Sequence, residues 1–302
     1  MGGLGIFIGF IIPFIIIALN NAPFQFNIII YLIAIFIAFL TGFVDDLWNI
    51  RARYKLILQI ISGLLVTQSG LLFDRLIFYN IISIEFGIFS NIITVLWIVM
   101  FMNAINLIDG MDGLASGIVF IANIFILLIA IFYNNHLIIQ ISIILGGAIL
   151  GFYIFNFPPA KIFMGDGGAY FLGFLYATLP LMGIKKSSVA TLFLIPFILL
   201  LIPIGDIARV IFIRWRDGNN IFLADKNHLH HRLQNLGFTN RGILFVIYGY
   251  TIILGLTSIL LLYIEPKYSL ILFLIISLLV LLTFYIFHHV ENLIEKKDHN
   301  KE

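Results

Sequence analysis

The chain has 302 residues, 62% of them hydrophobic and 11% charged, with a mean hydropathy of +1.11. A soluble domain of that length cannot hide so much apolar surface in one core, so lipid must cover the remainder. The formal net charge is only +2, and no nucleic-acid partner is expected; cysteine is absent, which excludes disulfides and thiolate metal sites.

Apolar runs of membrane-spanning length recur along the whole chain. They predict an all-α polytopic membrane protein with about ten spans, at roughly 4–19, 28–44, 56–72, 92–108, 114–133, 137–155, 169–182, 188–212, 243–262 and 269–288. The seventh is short. The eighth is long and holds Pro196 and Pro203, which predict a kink or break. No linker or repeat divides the sequence, so residues 1–302 form a single membrane domain. Residues 74–87, rich in β-branched and aromatic side chains with Asn80 at a turn position, fit either a surface hairpin or an irregular loop.

Orientation follows from Lys and Arg. The loops after even-numbered spans hold 13 of these residues, among them Arg51, Arg53, Lys55, Lys161 and Arg241. The opposite loops hold four: Arg75, Lys185, Lys186 and Lys267. The first set is therefore expected to be cytoplasmic. Twelve of the 15 acids fall on that side or in the C-terminal tail, and none near the middle of a span. Ion-coupled transporters keep ionisable groups near the midplane. A cluster at the surface instead suits chemistry between a soluble substrate and a lipid headgroup.

Four segments on that side carry the signal. Asp45-Asp46, followed by Arg51, Arg53 and Lys55, sets two adjacent carboxylates at a helix end, where their repulsion calls for a proton or a hard cation. Residues 103–114 pack Asn103, Asn106, Asp109 and Asp112 between apolar spans. Residues 156–168 run from Asn156 through Pro158, Pro159, Lys161 and Phe163 to a glycine-rich turn around Asp166. The helix N-terminus after that turn favours anions, phosphate included. His228, His230 and His231 lie in the longest polar stretch and suit phosphate contact better than a zinc site. Each segment alone is also compatible with a solvated loop, a turn or a helix cap.

With these four segments in this order, the chain resembles the polyprenyl-phosphate N-acetylhexosamine-1-phosphate transferases, glycosyltransferase family 4. The resemblance rests on Asp45-Asp46 with "YKL" at Lys55, on "NAINLIDGMDGLASG" from Asn103, on "FNFPPAKIFMGDGGAYFLG" from Phe155 and on "HLHH" from His228. It implies transfer of a sugar 1-phosphate from a UDP-sugar to undecaprenyl phosphate, with release of UMP, at the start of a cell-envelope polysaccharide. Mg²⁺ is the implied cofactor, with Mn²⁺ as a substitute. By motif position Asp166 would be the metal ligand, and Asp45 the base or nucleophile with Asp46 beside it. Lys55, Asn106, Asp109, Asp112, Asn156 and Phe163 would hold the uridine diphosphate end. His228, His230 and His231 would contact the diphosphate in the catalytic centre. The spaced His-Leu-His-His form is similar to the N-acetylglucosamine branch. The implied partners are the UDP-sugar, undecaprenyl phosphate and membrane lipid, and homodimers occur among relatives.

Rival readings are a relative that uses UDP-N-acetylmuramoyl-pentapeptide or another UDP-amino sugar, a transporter or flippase, and an inactive scaffold. The family also implies an additional first span and a basic cytoplasmic loop ending in Gly-Gly, at the position of Gly2-Gly3. The 302-residue chain is therefore expected to be weakly active or inactive beside a version carrying an upstream extension. Equal UMP release by the two would contradict this.

Overall fold

The described residues form a bundle of antiparallel α-helices. The computed structural model describes residues 2–20, 24, 26–78, 82–183, 233–234 and 236–264, with isolated positions at 205, 214 and between 268 and 282. In chain order the helices are α1 (Gly2–Leu19), α2 (Ile28–Trp48), α3 (Ala52–Gln68), α4 (Ser90–Ile108), α5 (Leu114–Phe132), α6 (His136–Asn156), α7 (Gly165–Gly183) and α8 (Asn240–Tyr263). Helices satisfy their own backbone groups, as hydrocarbon requires. Their exposed first amides are capped by polar side chains at the boundaries. Asn27 accepts from the amides of Ile29 and Ile30 at 3.1 and 3.2 Å, Asn135 from Ile138 at 3.2 Å, and Thr239 from Gly242 at 3.2 Å.

Among the described residues, six helices are long and apolar enough to cross a membrane: α1, α2, α4 with its preceding 3-10 turn, α5, α6 and α8. The sequence also placed spans at α3 and α7, and both are helices here. α3 has only 17 residues and opens on Ala52-Arg53-Tyr54-Lys55. α7 carries five glycines and Pro180. The reason α7 tolerates that composition is its position. Residues 167–181 are all buried, because α7 is surrounded by α1, α2, α4 and α5 and meets little lipid. Small residues allow the approach. The expected eighth span, with Pro196 and Pro203, lies outside the described residues, as does most of the tenth.

Aromatic rings lock α1, α2 and α7 together. Phe7 stacks on Phe39 at 4.1 Å and meets the edge of Phe171 at 5.3 Å, and the hydroxyls of Tyr31 and Thr178 stand 2.8 Å apart. Gly173 lies flat against the backbone of α4, and the Tyr176 hydroxyl donates to the Val119 carbonyl of α5. At one end of the bundle β1 (Arg75–Phe78) pairs antiparallel with β2 (Ile82–Glu85), Arg75 opposite Glu85. The segment 74–87 is thus a hairpin; its expected turn at Asn80 lies outside the described residues.

The other end gathers the C-termini of α2, α4 and α6 and the N-termini of α3, α5, α7 and α8, as the expected topology requires. The chain leaves α7 on the hairpin side at Gly183 and begins α8 on the gathered side at Asn240. Several boundaries differ from the hydropathy reading. α2 continues to Trp48, so Asp45 and Asp46 occupy its last turn, and α7 begins at Gly165, so Asp166 sits in its first turn. A hydropathy window stops at the first polar residues, whereas backbone hydrogen bonding does not.

A Cβ at Gly173 would stand 2.5 Å from Met102 Cα and 2.6 Å from the Phe101 carbonyl oxygen, whereas one at Gly147 would meet nothing. Gly173→Ala is expected to cost about 1–3 kcal/mol by overpacking, read as a lower melting temperature of the detergent-solubilised protein. Gly147→Ala should leave that temperature unchanged. Equal melting of the two variants would contradict the central placement of α7.

Candidate active site

Successive residues on a helix point about 100° apart. The neighbouring acids Asp45 and Asp46 therefore leave the last turn of α2 in different directions. Asp45, 9% exposed, faces α3, where the Lys55 ammonium donates to its Oδ2. The same ammonium stands 3.3 Å from Asp166 Oδ2 at the head of α7. Three helices are thus joined through one cation. The other oxygen of Asp45, Oδ1, is buried, with no hydrogen-bond partner among the described residues. Asn106, near the end of α4, is close enough to the Asp166 carboxylate to favour its charged form.

Asp46 turns to α7. Its Oδ1 accepts from the Asp166 amide at 2.8 Å and its Oδ2 from the Gly167 amide at 3.2 Å. A carboxylate at the C-terminal end of its own helix is disfavoured by the dipole, and the N-terminus of α7 offsets this. The contact needs close backbones. A Cβ at Gly42 would stand 2.1 Å from the Asp166 carbonyl oxygen, and one at Gly165 (φ +72) would meet Asp46 Oδ2 at 2.5 Å. The sequence marks the α7 N-terminus as a site that favours anions, phosphate included. In the structure the anion at the amides of Asp166 and Gly167 is the Asp46 carboxylate.

Beside this cluster lies the turn from α4 to α5. Asp109 follows the last residue of α4 and is partly buried. Its carboxyl is held well above the usual carboxylate range, first by burial and then by the negative charges of Asp166, Asp46 and Asp112. Asp112 Oδ2 accepts from the Ala160 amide at 3.1 Å. Asn156, 3% exposed, accepts from the Gly113 amide at 3.0 Å and the Ser116 hydroxyl at 2.7 Å and donates to the Ile162 carbonyl at 3.0 Å. Asp112 and Asn156 thus brace the α4–α5 turn against the 157–164 segment. From α8 the Tyr248 hydroxyl donates to the Gly113 carbonyl, and Arg241 donates to the Pro158 carbonyl at 3.4 Å. Phe163 projects outward from the same segment, 68% exposed.

The structure therefore brings Asp45, Asp46, Lys55, Asn106, Asp109, Asp112, Asn156 and Asp166 to one end of the bundle, with Phe163 on the segment leading into Asp166. His228, His230 and His231 lie outside the described residues. Sequence reasoning did not single out Gln59, Ser116 or Tyr248, which pack or brace this end. The available signal was a polar residue inside an apolar run, as at Gln59 in "LILQIISG". Among the described residues no three acids or histidines converge on one point. A Mg²⁺ ion that keeps water and substrate phosphates needs only one or two carboxylates. The oxygen-only donor set, the partnerless Oδ1 of Asp45 and the like-charge crowding at Asp109 fit such an ion.

Residues 28–184 match the family model described as glycosyl transferase family 4. The chain is 36% identical to a Bacillus subtilis protein named probable undecaprenyl-phosphate N-acetylglucosaminyl 1-phosphate transferase, over 86% of this chain and 72% of that one. It is 31% identical to the decaprenyl-phosphate N-acetylglucosaminephosphotransferase of Mycobacterium leprae, over 68% of this chain and 58% of that one. It is 34% identical to the phospho-N-acetylmuramoyl-pentapeptide-transferase of Streptococcus thermophilus, over 70% and 65% of the respective chains.

Removing the cap on α7 has a measurable consequence. Asp46→Ala should destabilise the protein by about 0.5–2 kcal/mol, seen as a lower melting temperature, while Asp46→Asn keeps an acceptor and most of the stability. Melting of Asp46→Ala at the unsubstituted temperature would contradict the capping role.

Proposed function

The chain belongs to glycosyl transferase family 4, and on that premise we propose that it transfers N-acetylglucosamine 1-phosphate from UDP-N-acetylglucosamine to undecaprenyl phosphate, releasing UMP. The product would start a cell-envelope polysaccharide at the cytoplasmic face of a bacterial inner membrane. The observation that carries this reading is the Lys55 ammonium shared by Asp45 and Asp166, at the membrane boundary where a lipid phosphate and a soluble nucleotide can meet.

In this reading an oxygen of the lipid phosphate attacks the sugar-bearing β-phosphorus. A P–O bond forms there as the bond from that phosphorus to the bridging oxygen breaks, and UMP leaves. Asp45, whose Oδ2 is held by Lys55, would be the base that accepts the proton of the lipid phosphate. Lys55 balances negative charge beside the two carboxylates. Phe163 offers an exposed ring to stack on the uracil, and Asn106, Asp109 and Asp112 border the same end. His228, His230 and His231 would contact the diphosphate. Bound Mg²⁺, held by Asp166, would supply further charge neutralisation of the diphosphate. Positioning and electrostatics carry most of a phosphoryl transfer, so little covalent chemistry is asked of the protein.

A second donor is supported by the similarity to the Streptococcus thermophilus protein, whose name specifies a phospho-N-acetylmuramoyl-pentapeptide. A panel of UDP-sugars with undecaprenyl phosphate and Mg²⁺ separates the two, run on the chain and on a version with an upstream extension. UDP-N-acetylglucosamine is expected to give the fastest UMP release. Asp166→Asn should lower that release at least a hundredfold at an unchanged melting temperature. UMP release from the muramoyl-pentapeptide donor alone would overturn the donor choice, and near-normal rates in Asp166→Asn would overturn the assignment of Asp166.

A further inference from the structure

One turn along α3 from Lys55, Gln59 is buried at 1% exposure in an otherwise apolar run. Its amide pairs with Asn103 of α4. Asn103 Nδ2 donates to Gln59 Oε1 at 2.8 Å, Gln59 Nε2 faces Asn103 Oδ1 at 3.4 Å, and Asn103 also donates to the Val99 carbonyl at 2.7 Å. A further polar tie of α3 below Lys55 goes to a different helix, from the Ser62 hydroxyl to the Ala34 carbonyl of α2 at 3.0 Å. Buried polar groups cost free energy unless paired, so an amide pair inside a membrane bundle persists only where its geometry is specified on both sides.

The positions of the two amides give the pair a second meaning. Gln59 lies four residues after Lys55, on the same face of α3, and Asn103 lies three residues before Asn106, on the same face of α4. Lys55 holds the carboxylate of Asp166 at 3.3 Å, and Asn106 lies on the Asp166 side of α4. The amide pair thus ties the helix that carries Lys55 to the helix that carries Asn106, one turn away from Asp166. The opposite face of α3 is exposed at Tyr54, Leu56, Ile57, Ile60, Ile61 and Leu64, so no described residue on that side fixes its axial position. Leu, Ile and Tyr against lipid tolerate sliding and rotation.

We infer that Gln59 and Asn103 are a positioning pair for the transfer reaction, holding α3 in the register that sets the Lys55 ammonium between Asp45 and Asp166. Neither amide touches substrate. Their effect is on the placement of Lys55, and a long flexible ammonium side chain profits from a fixed base. This rests on the activity proposed above.

The experiment is a substitution cycle read by UMP release from UDP-N-acetylglucosamine, in whichever form of the protein, 302-residue or extended, turns over. Gln59→Asn shortens one arm by a methylene and Asn103→Gln lengthens the other, so the double variant keeps the combined reach. Each single variant is expected to lower kcat tenfold or more, with KM for the UDP-sugar within twofold and the melting temperature within a few degrees. The double variant should recover to within about threefold of the unsubstituted rate. Unchanged kcat in the singles would overturn the pair's role. So would a loss confined to KM, or a double variant as slow as the product of the two singles. If a single variant fails to fold, a folded double variant with near-normal kcat supports the pairing, and one that stays slow refutes it. Absence of UMP release from both unsubstituted forms would instead defeat the proposed activity, leaving the two failures distinct.

Discussion

A cation shared between two carboxylates from separate helices is the interaction on which this end of the molecule depends. Lys55 of α3 reaches both Asp45 of α2 and Asp166 of α7. At a membrane boundary neither the ammonium nor the acids can rely on bulk water, and a charge left alone there is far costlier than a charge in a pair. The pairing obliges three helix ends to meet. It also leaves excess negative charge nearby, on Asp46 and Asp112, and that charge together with burial favours a proton on Asp109 or a further cation.

The frame that makes the meeting possible is α7. It is the helix least exposed to lipid, and it is held through glycine contacts at its head and middle. Asp46 caps its first amides from α2, while Gly42 and Gly173 let α2 and α4 come to backbone contact. Asp45 and Asp46 divide the labour: one meets the mobile cationic side chain, the other fixes the helix that delivers Asp166. The α4–α5 turn is fastened separately by Asn156, Asp112 and Tyr248. Rigid supports of this kind keep charged groups in position without reorganisation when charge develops on a substrate.

Much of this was legible in the residues. Runs of apolar side chains located the helices, and the Lys and Arg asymmetry put the polar segments on one side, where Asp166, Asp46 and Lys55 now meet. For residues 74–87 the composition left a hairpin and an irregular loop open, and the structure decides for the hairpin, Arg75 opposite Glu85. Other features were hidden. Hydropathy cannot say which helix is surrounded, so α7 looked merely short, although its glycines and Pro180 mark a helix that meets protein instead of lipid. Helix ends extend through Asp45–Trp48 and Gly165–Gly168 because backbone bonding continues past the last apolar residue. The adjacent Asp45-Asp46 read as one unit, whereas the helical step sends them to different partners. Asn156 reads as a ligand-facing polar group, yet its hydrogen bonds here go to Gly113, Ser116 and Ile162 of the protein itself.

The chain contains no cysteine, so introduced thiols report on proximity without background. The most direct measurement is thiol cross-linking in membranes with a short bifunctional reagent, comparing Asp45→Cys paired with Asp166→Cys against Asp45→Cys paired with Asp74→Cys beside the hairpin. Rapid intramolecular cross-linking of the first pair and none of the second is the predicted result. A first pair that stays unlinked, or a second that links equally fast, would contradict the convergence of α2 and α7 around Lys55.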